Sequence, residues 1–177
     1  RSSDLASVTE EKIEIAKEIS VIVARNKRGE IKSFPVVEML FDPAANLVDK
    51  LICPSSITAE QSEKAISLAT EIIELLDMEG LLAVEFFIDS QGGVLVNEMA
   101  PRPHNSGHHT IESMITSQFE QHLRAILNLP LGSTRIKLPS VMINILGAEG
   151  HEGRVLYEGL TESMAIEGVK IHLYGKK

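Results

Sequence analysis

The sequence predicts an α+β protein with a mainly antiparallel sheet flanked by helices. Two observations carry that expectation. Short β-branched runs come in adjacent pairs joined by turn residues, and two longer stretches with helical apolar spacing separate the pairs. The resulting order is strand pair, helix, strand pair, helix, then short strands, which suits hairpins more than parallel crossovers.

Each element has its own signal. Residues 19–24 (ISVIVA) and 31–37 (IKSFPVV) flank the charged turn Arg25-Asn26-Lys27-Arg28-Gly29-Glu30 and predict a hairpin. Over residues 58–76, Ala65, Ile66, Ala69, Ile72, Ile73 and Leu76 recur at helical steps, with Glu60, Glu63, Lys64 and Glu71 between them. Residues 81–88 and 94–97 flank Asp89-Ser90-Gln91-Gly92-Gly93 and predict a second hairpin. Residues 99–109 have no period but hold two prolines, a glycine and three histidines, a density of polar chemistry typical of a functional loop. A helix is expected over residues 111–127, where Ile111, Met114, Ile115, Phe119, Leu123, Ile126 and Leu127 are periodic. Asn128-Leu129-Pro130 stops it, because proline cannot continue the ladder. Residues 141–146 and 169–174 read as short strands.

Charge and composition narrow the function. In 177 residues, 17 Lys and Arg against 25 Asp and Glu give a net charge of −8, a poor match for a polyanion, so no nucleic acid partner is expected. A small phosphorylated ligand could still be held by a local basic cluster. A single cysteine, Cys53, excludes an internal disulfide and fits a reducing compartment, so the expected location is cytoplasmic. No apolar run approaches the ~20 residues that span a bilayer, and the start RSSDLASVTE lacks the order of a signal peptide, so no membrane association is expected.

The second hairpin is where chemistry concentrates. Glu85 lies in an apolar strand, and Asn97-Glu98 end its partner strand, so a suitable register would bring both carboxylates to one face. Paired carboxylates with an amide oxygen suit magnesium, which takes oxygen ligands and shares them with phosphates. The plain alternative is that Glu85 is a solvent-facing residue of an ordinary strand. Arg102, between Pro101 and Pro103, presents a restrained planar donor fork for an oxyanion. His104, His108 and His109 leave three readings open: a zinc site, a surface loop without special role, or polar groups for an anionic substrate beside the metal. Pro103, Asn105 and Gly107 argue for a loop, and zinc at this spacing would need a helix.

The runs Asn97-Glu98-Met99-Ala100-Pro101-Arg102-Pro103-His104-Asn105-Ser106-Gly107-His108 and 116–126 (TSQFEQHLRAI) resemble the 5-(carboxyamino)imidazole ribonucleotide synthetases. These are ATP-grasp ligases of purine biosynthesis, also described as the ATPase subunit of phosphoribosylaminoimidazole carboxylase. Asn105-Ser106 separates them from the similar formate-dependent glycinamide ribonucleotide transformylases. Upstream, residues 10–13 and 17–21 resemble the family's adenine hinge and ribose-binding strand, so the likeness covers nearly the whole chain.

The resemblance implies ATP and magnesium as cofactors, with 5-aminoimidazole ribonucleotide and bicarbonate as substrates. ATP phosphorylates bicarbonate, the exocyclic amine is carboxylated, and ADP and phosphate leave. It implies that Glu10 and Ile13 bind adenine, that Glu18 binds ribose, and that Asn97 and Glu98 lie at the nucleotide phosphates. Glu85, Glu98 and Asn97 would hold the metal, and Arg102, His104 and Asn105 would be catalytic. Arg102, His104, Asn105, Ser106 and Lys176 would contact substrate. One motif departs: Glu38-Met39-Leu40-Phe41 stands where many members have Glu-x-x-His. The implied organisation is an ATP-grasp carboxy-terminal lobe over residues 1–133 and part of a small barrel-like β domain over residues 134–177. The expectation is therefore a piece of a longer, homodimeric ligase, inactive alone. A non-catalytic binding or assembly module using the same sheet is the alternative.

Overall fold

The computed structural model describes residues 11–42, 47–145, 147, 150 and 153–173. At its centre is β1 (Ile15–Arg25), whose apolar run lies between two layers and is buried from Ile19 to Ala24. On one side β1 pairs with β5 (Gly80–Asp89), and β5 with β6 (Val94–Ala100). On the other it pairs with β2 (Ile31–Ser33) and β3 (Val37–Asp42); β3 leads to β4 (Leu47–Cys53) and β4 to β7 (Ser140–Ile143). The order is β6-β5-β1-β3-β4-β7 with β2 beside β1, and all of these pairings are antiparallel, as the α+β expectation requires.

Strand alternation gives the sheet two cores. Ile19, Val21 and Val23 face the side where Leu82, Val84 and Phe86 meet Ala65, Ala69 and Ile73 of α1 (Ala59–Leu75). Thr58 starts that helix with a capping box, its side chain accepting from the Gln61 amide while Gln61 returns a bond to the Thr58 amide. Ile22 and Ala24 face the opposite side with Leu81, Ala83, Met39 and Leu51, beneath Met114, Ala125 and Leu131. Burial on both faces explains why β1 and β5 read as continuous apolar runs.

Four features differ from the sequence expectations. Residues 31–37 form two strands, since Phe34-Pro35-Val36 interrupts them and proline has no amide to donate. The strand β4 was not anticipated. The helix expected over 111–127 is split into α2 (Thr110–Ser113) and α3 (Gln118–Ile126): Met114 bridges to Ile136, the Thr116 amide bonds the Ser133 carbonyl, and Ser117 caps α3 through the Glu120 amide. Residues 169–173 form no strand, while α4 (Leu160–Met164) appears without warning; residues 146 and 174 lie outside the described residues.

The α3 helix also faces the opposite way from its periodicity. Gln118, Gln121 and Ala125 are buried, whereas Phe119, Leu123 and Ile126 are exposed. Its inward amides answer backbone groups of the loops they cover: Gln121 donates to the Gly132 carbonyl at 3.0 Å and accepts from the Gly132 amide at 2.8 Å.

A partly buried ion pair fastens β1 to β3 and to the entry of α1. Glu38, 7% exposed, accepts from Lys17 Nζ at 2.8 Å, from the Ser56 amide at 3.2 Å and from Ser56 Oγ at 2.6 Å. Burial alone would raise its pKa, but the bonds from Lys17 and Ser56 outweigh burial and hold it below the usual carboxylate range. Glu38→Ala should lower the unfolding free energy by about 2–3 kcal/mol, because Lys17 and Ser56 lose their shared acceptor. Urea denaturation of both proteins measures this.

Candidate functional site

The register places three polar residues in one row across three strands. Ser20 of β1 is the partner of Glu85 in β5, and Glu85 is the partner of Glu98 in β6. Directly paired residues point to the same face, their Cβ atoms about 4.5–5.5 Å apart. Beyond Glu85 the register slips, so Phe86 pairs with Val96 and Asn97 is the extra residue of a bulge. Glu18, two residues before Ser20, shares this face opposite Phe87. Glu98 and Leu95 are exposed on it, while Glu85 is only 8% exposed.

Burial pushes the Glu85 carboxyl up to about 7, with the nearby Glu98 and Glu18 charges adding to it. Burial also raises Glu18. The row therefore brings three carboxyl groups to one face, where burial and their mutual repulsion disfavour charge on Glu85. Among the described residues no group of three or more His, Cys, Asp or Glu side chains is gathered around one point. The residues present fit a hard cation that takes two carboxylates and draws its other ligands from phosphate oxygens and water. They do not fit a closed zinc site, because the three histidines part company. His104 faces Glu85, His108 stacks on Phe119 at 5.6 Å between ring centroids, and His109 is buried with Nδ1 2.8 Å from Ser113 Oγ. Burial lowers all three histidines, His109 to about 4.

The loop after β6 sits against this row. The Arg102 amide donates to the Ala100 carbonyl at 2.9 Å in a tight turn, and its exposed guanidinium donates from Nη1 to the Pro103 carbonyl at 3.3 Å. His104 Nε2 lies 3.3 Å from Glu85 Oε1, and Nδ1 lies 2.9 Å from Ser106 Oγ. Half-buried Asn105 opens a 3-10 turn to Gly107. Ser106 is 2% exposed, with its hydroxyl between Ser20 Oγ and His104, so it supports His104 from behind and has no surface for the substrate contact expected of it. A Cβ on Gly107 would collide with the Ile22 and Gln118 side chains, which explains glycine at this close approach.

The loop is held by a residue the sequence reading did not single out. Gln118, fully buried, accepts from the His104 amide at 2.9 Å and donates to the His104 carbonyl at 2.7 Å, with Nε2 also 2.9 Å from His108 Nδ1. Gln118→Leu strands both backbone groups of His104 and should cost about 2–4 kcal/mol of stability, measured by chemical denaturation.

The remaining expected residues are spread along the same face or fall beyond it. Ile13 precedes β1, and the neighbouring Glu14 carbonyl accepts from the Ser90 amide at the β5–β6 turn. From the Asp89 level to Glu85 is four residues of strand, about 13 Å. Glu10 and Lys176 lie outside the described residues. Ser20, which the sequence analysis did not single out, is 1% exposed beside Glu85.

Comparison with known proteins gives this face a family. The chain is 40% identical over 169 residues to N5-carboxyaminoimidazole ribonucleotide synthase of Bacillus subtilis, covering 96% of this chain and 42% of that protein. Among solved structures, N5-carboxyaminoimidazole ribonucleotide synthetase from Thermotoga maritima has a TM-score of 0.88 and 52% identity, covering 95% of this chain and 44% of that one. The Aspergillus clavatus synthase in complex with ADP and 5-aminoimidazole ribonucleotide has a TM-score of 0.72 and 35% identity, covering 78% of this chain and 37% of that one. The chain thus spans about two fifths of the length of these proteins. Residues 140–177 match the phosphoribosylaminoimidazole carboxylase C-terminal domain. Since the ATP-grasp domain model matches residues 1–119, more than half of its length, the chain belongs to the ATP-grasp family, and its similarity within that family is to the N5-carboxyaminoimidazole ribonucleotide synthases.

Proposed function

We propose that this chain supplies the carboxylate-bearing side of an ATP- and bicarbonate-dependent ligase that converts 5-aminoimidazole ribonucleotide to its N5-carboxy derivative, with release of ADP and phosphate. The observation that carries this reading is the direct pairing of Glu85 with Glu98 on a partly uncovered sheet face, beside a loop that presents Arg102 and His104. The chain by itself is proposed to be inactive, because phosphoryl transfer depends on groups that enclose the phosphates from both sides. A homodimer and a cytoplasmic location belong to the same proposal. Among the described residues, no helix is long and apolar enough to cross a membrane. We place the boundary of the second unit near residue 134, between the two family matches.

In this reading Glu85 and Glu98, with the Asn97 amide, hold magnesium at the nucleotide phosphates. The cation supplies neutralisation of the charge that builds between them. Ile13 and Glu10 meet adenine, Glu18 meets the ribose hydroxyls, and Lys176 meets the substrate phosphate. Arg102 offers its fork to the oxyanion that forms on bicarbonate, and His104 and Asn105 line the pocket where the amine approaches. The Arg102 guanidinium is exposed and, among the described residues, bonds the Pro103 carbonyl alone, which suits a donor that turns toward an anion.

A chimera tests the proposal: the matched stretch of the Bacillus subtilis relative is replaced by this chain, and ADP release is followed with and without 5-aminoimidazole ribonucleotide and bicarbonate. Turnover that requires both substrates supports the reading. A folded chimera that binds ATP but releases ADP independently of both would favour a module of another function.

A further inference from the structure

We infer that Ser20 and Ser106 are positioning residues, whose hydroxyls form a one-directional hydrogen-bond chain that, together with the Ser106 amide, fixes His104 as the neutral tautomer with its proton on Nε2, the ring nitrogen that lies beside Glu85. The direction follows from one backbone group. The Ser106 amide points at His104 Nδ1 from 3.3 Å, and an amide can only donate, so Nδ1 carries the lone pair. Ser106 Oγ, 2.9 Å from the same nitrogen, therefore donates to it as well. Its hydrogen is then committed, so at the 2.9 Å contact between the two hydroxyls Ser20 donates and Ser106 accepts. The remaining ring proton sits on Nε2, 3.3 Å from Glu85 Oε1.

The residues are placed to hold this arrangement. Ser20 and Ser106 are 1% and 2% exposed, so water does not compete for their hydroxyls. Ser20 is fixed by strand pairing on both sides, opposite Glu85 and Val37. Gln118 holds both backbone groups of His104, which leaves the ring little freedom to turn. One Glu85 oxygen thereby has a neutral imidazole as its neighbour, with Nε2 3.3 Å away. A group behind a ligand that fixes its orientation typically controls metal affinity by 10–100-fold. That functional half rests on reading Glu85 as a metal carboxylate; the tautomer itself does not.

Long-range 1H–15N correlation spectra of the 15N-labelled 177-residue chain report the tautomer of His104 directly. The expected result is a proton on Nε2 in wild type, a partial shift toward the Nδ1-protonated form in Ser106→Ala, which loses the 2.9 Å hydroxyl bond but keeps the amide at 3.3 Å, and a smaller shift in the same direction in Ser20→Ala. A wild-type ring protonated on Nδ1, or a Ser106→Ala spectrum unchanged at His104, would overturn the inference. If Ser106→Ala does not fold, the wild-type spectrum and Ser20→Ala still decide. In the chimera both variants, compared at a temperature where each remains folded, should raise the magnesium concentration for half-maximal turnover by about tenfold. An unmoved magnesium requirement would remove the positioning role. An inactive chimera carrying the wild-type chain would instead count against the proposed function, and the spectra would stand apart from it.

Discussion

Glu85→Gln is expected to lower turnover of the chimera by about 10²–10³ while making the metal-free 177-residue chain more stable above pH 7. The loss of turnover follows from removing a carboxylate that anchors cationic charge at the phosphates, a contribution of several kcal/mol to the transition state. The gain in stability comes from the same residue. Burial, with Glu98 and Glu18 beside it, raises Glu85 to about 7, so the folded state holds its proton more tightly than the unfolded state does. For an acid raised in this way, the stabilising contribution is fully present below the unfolded pKa of about 4.5 and is lost as pH rises through about 7. A shift of that size corresponds to at most about 3 kcal/mol. The wild-type chain should therefore lose stability between about pH 5 and 7 in chelator. Glutamine, which keeps the shape without the charge, should lack that decline. Thermal melts across pH for both chains give the answer, and parallel profiles would mean that Glu85 is already neutralised by another group.

Arg102→Lys should lower turnover of the chimera by about one to three orders of magnitude with little change in melting temperature. Lysine keeps the charge but loses the planar fork, and losing one oriented donor to a developing oxyanion costs on that order. Arg102 is exposed and, among the described residues, its guanidinium bonds only its neighbour's carbonyl, so folding should change by no more than about 0.5 kcal/mol. Equal turnover with a large drop in melting temperature would make Arg102 a structural residue.

What the sequence revealed of this fold and site depended on whether a residue's role was local. The β5–β6 hairpin was legible because apolar runs flank an Asp-Ser-Gln-Gly-Gly turn, in which Asp89 Oδ1 accepts from the Gln91 and Gly93 amides at 2.8 Å each. Its two acids were legible because they sit at matched places along paired strands. The bulge at Asn97, which sets the final register, leaves no mark in composition. The strand β4 was hidden by Asp49-Lys50 in its middle and by a slip against β3 between Leu40 and Phe41. Helical periodicity drew attention to Phe119 and Leu123, which face outward, and away from Gln118 and Gln121, which do the inward work by satisfying loop backbone. Ser20 and Ser106 became recognisable only when residues 86 positions apart met at 2.9 Å.

Paramagnetic relaxation by manganese tests the pairing of Glu85 and Glu98 as a cation site most directly. With Mn2+ and ATP titrated into the 15N-labelled 177-residue chain, the amide signals of Ser20, Glu85 and Glu98 should broaden first. Glu85→Gln combined with Glu98→Gln should abolish that pattern. Broadening that begins at another acidic cluster, or that survives the double substitution, would contradict the assignment of this face as the site where metal and nucleotide phosphates meet.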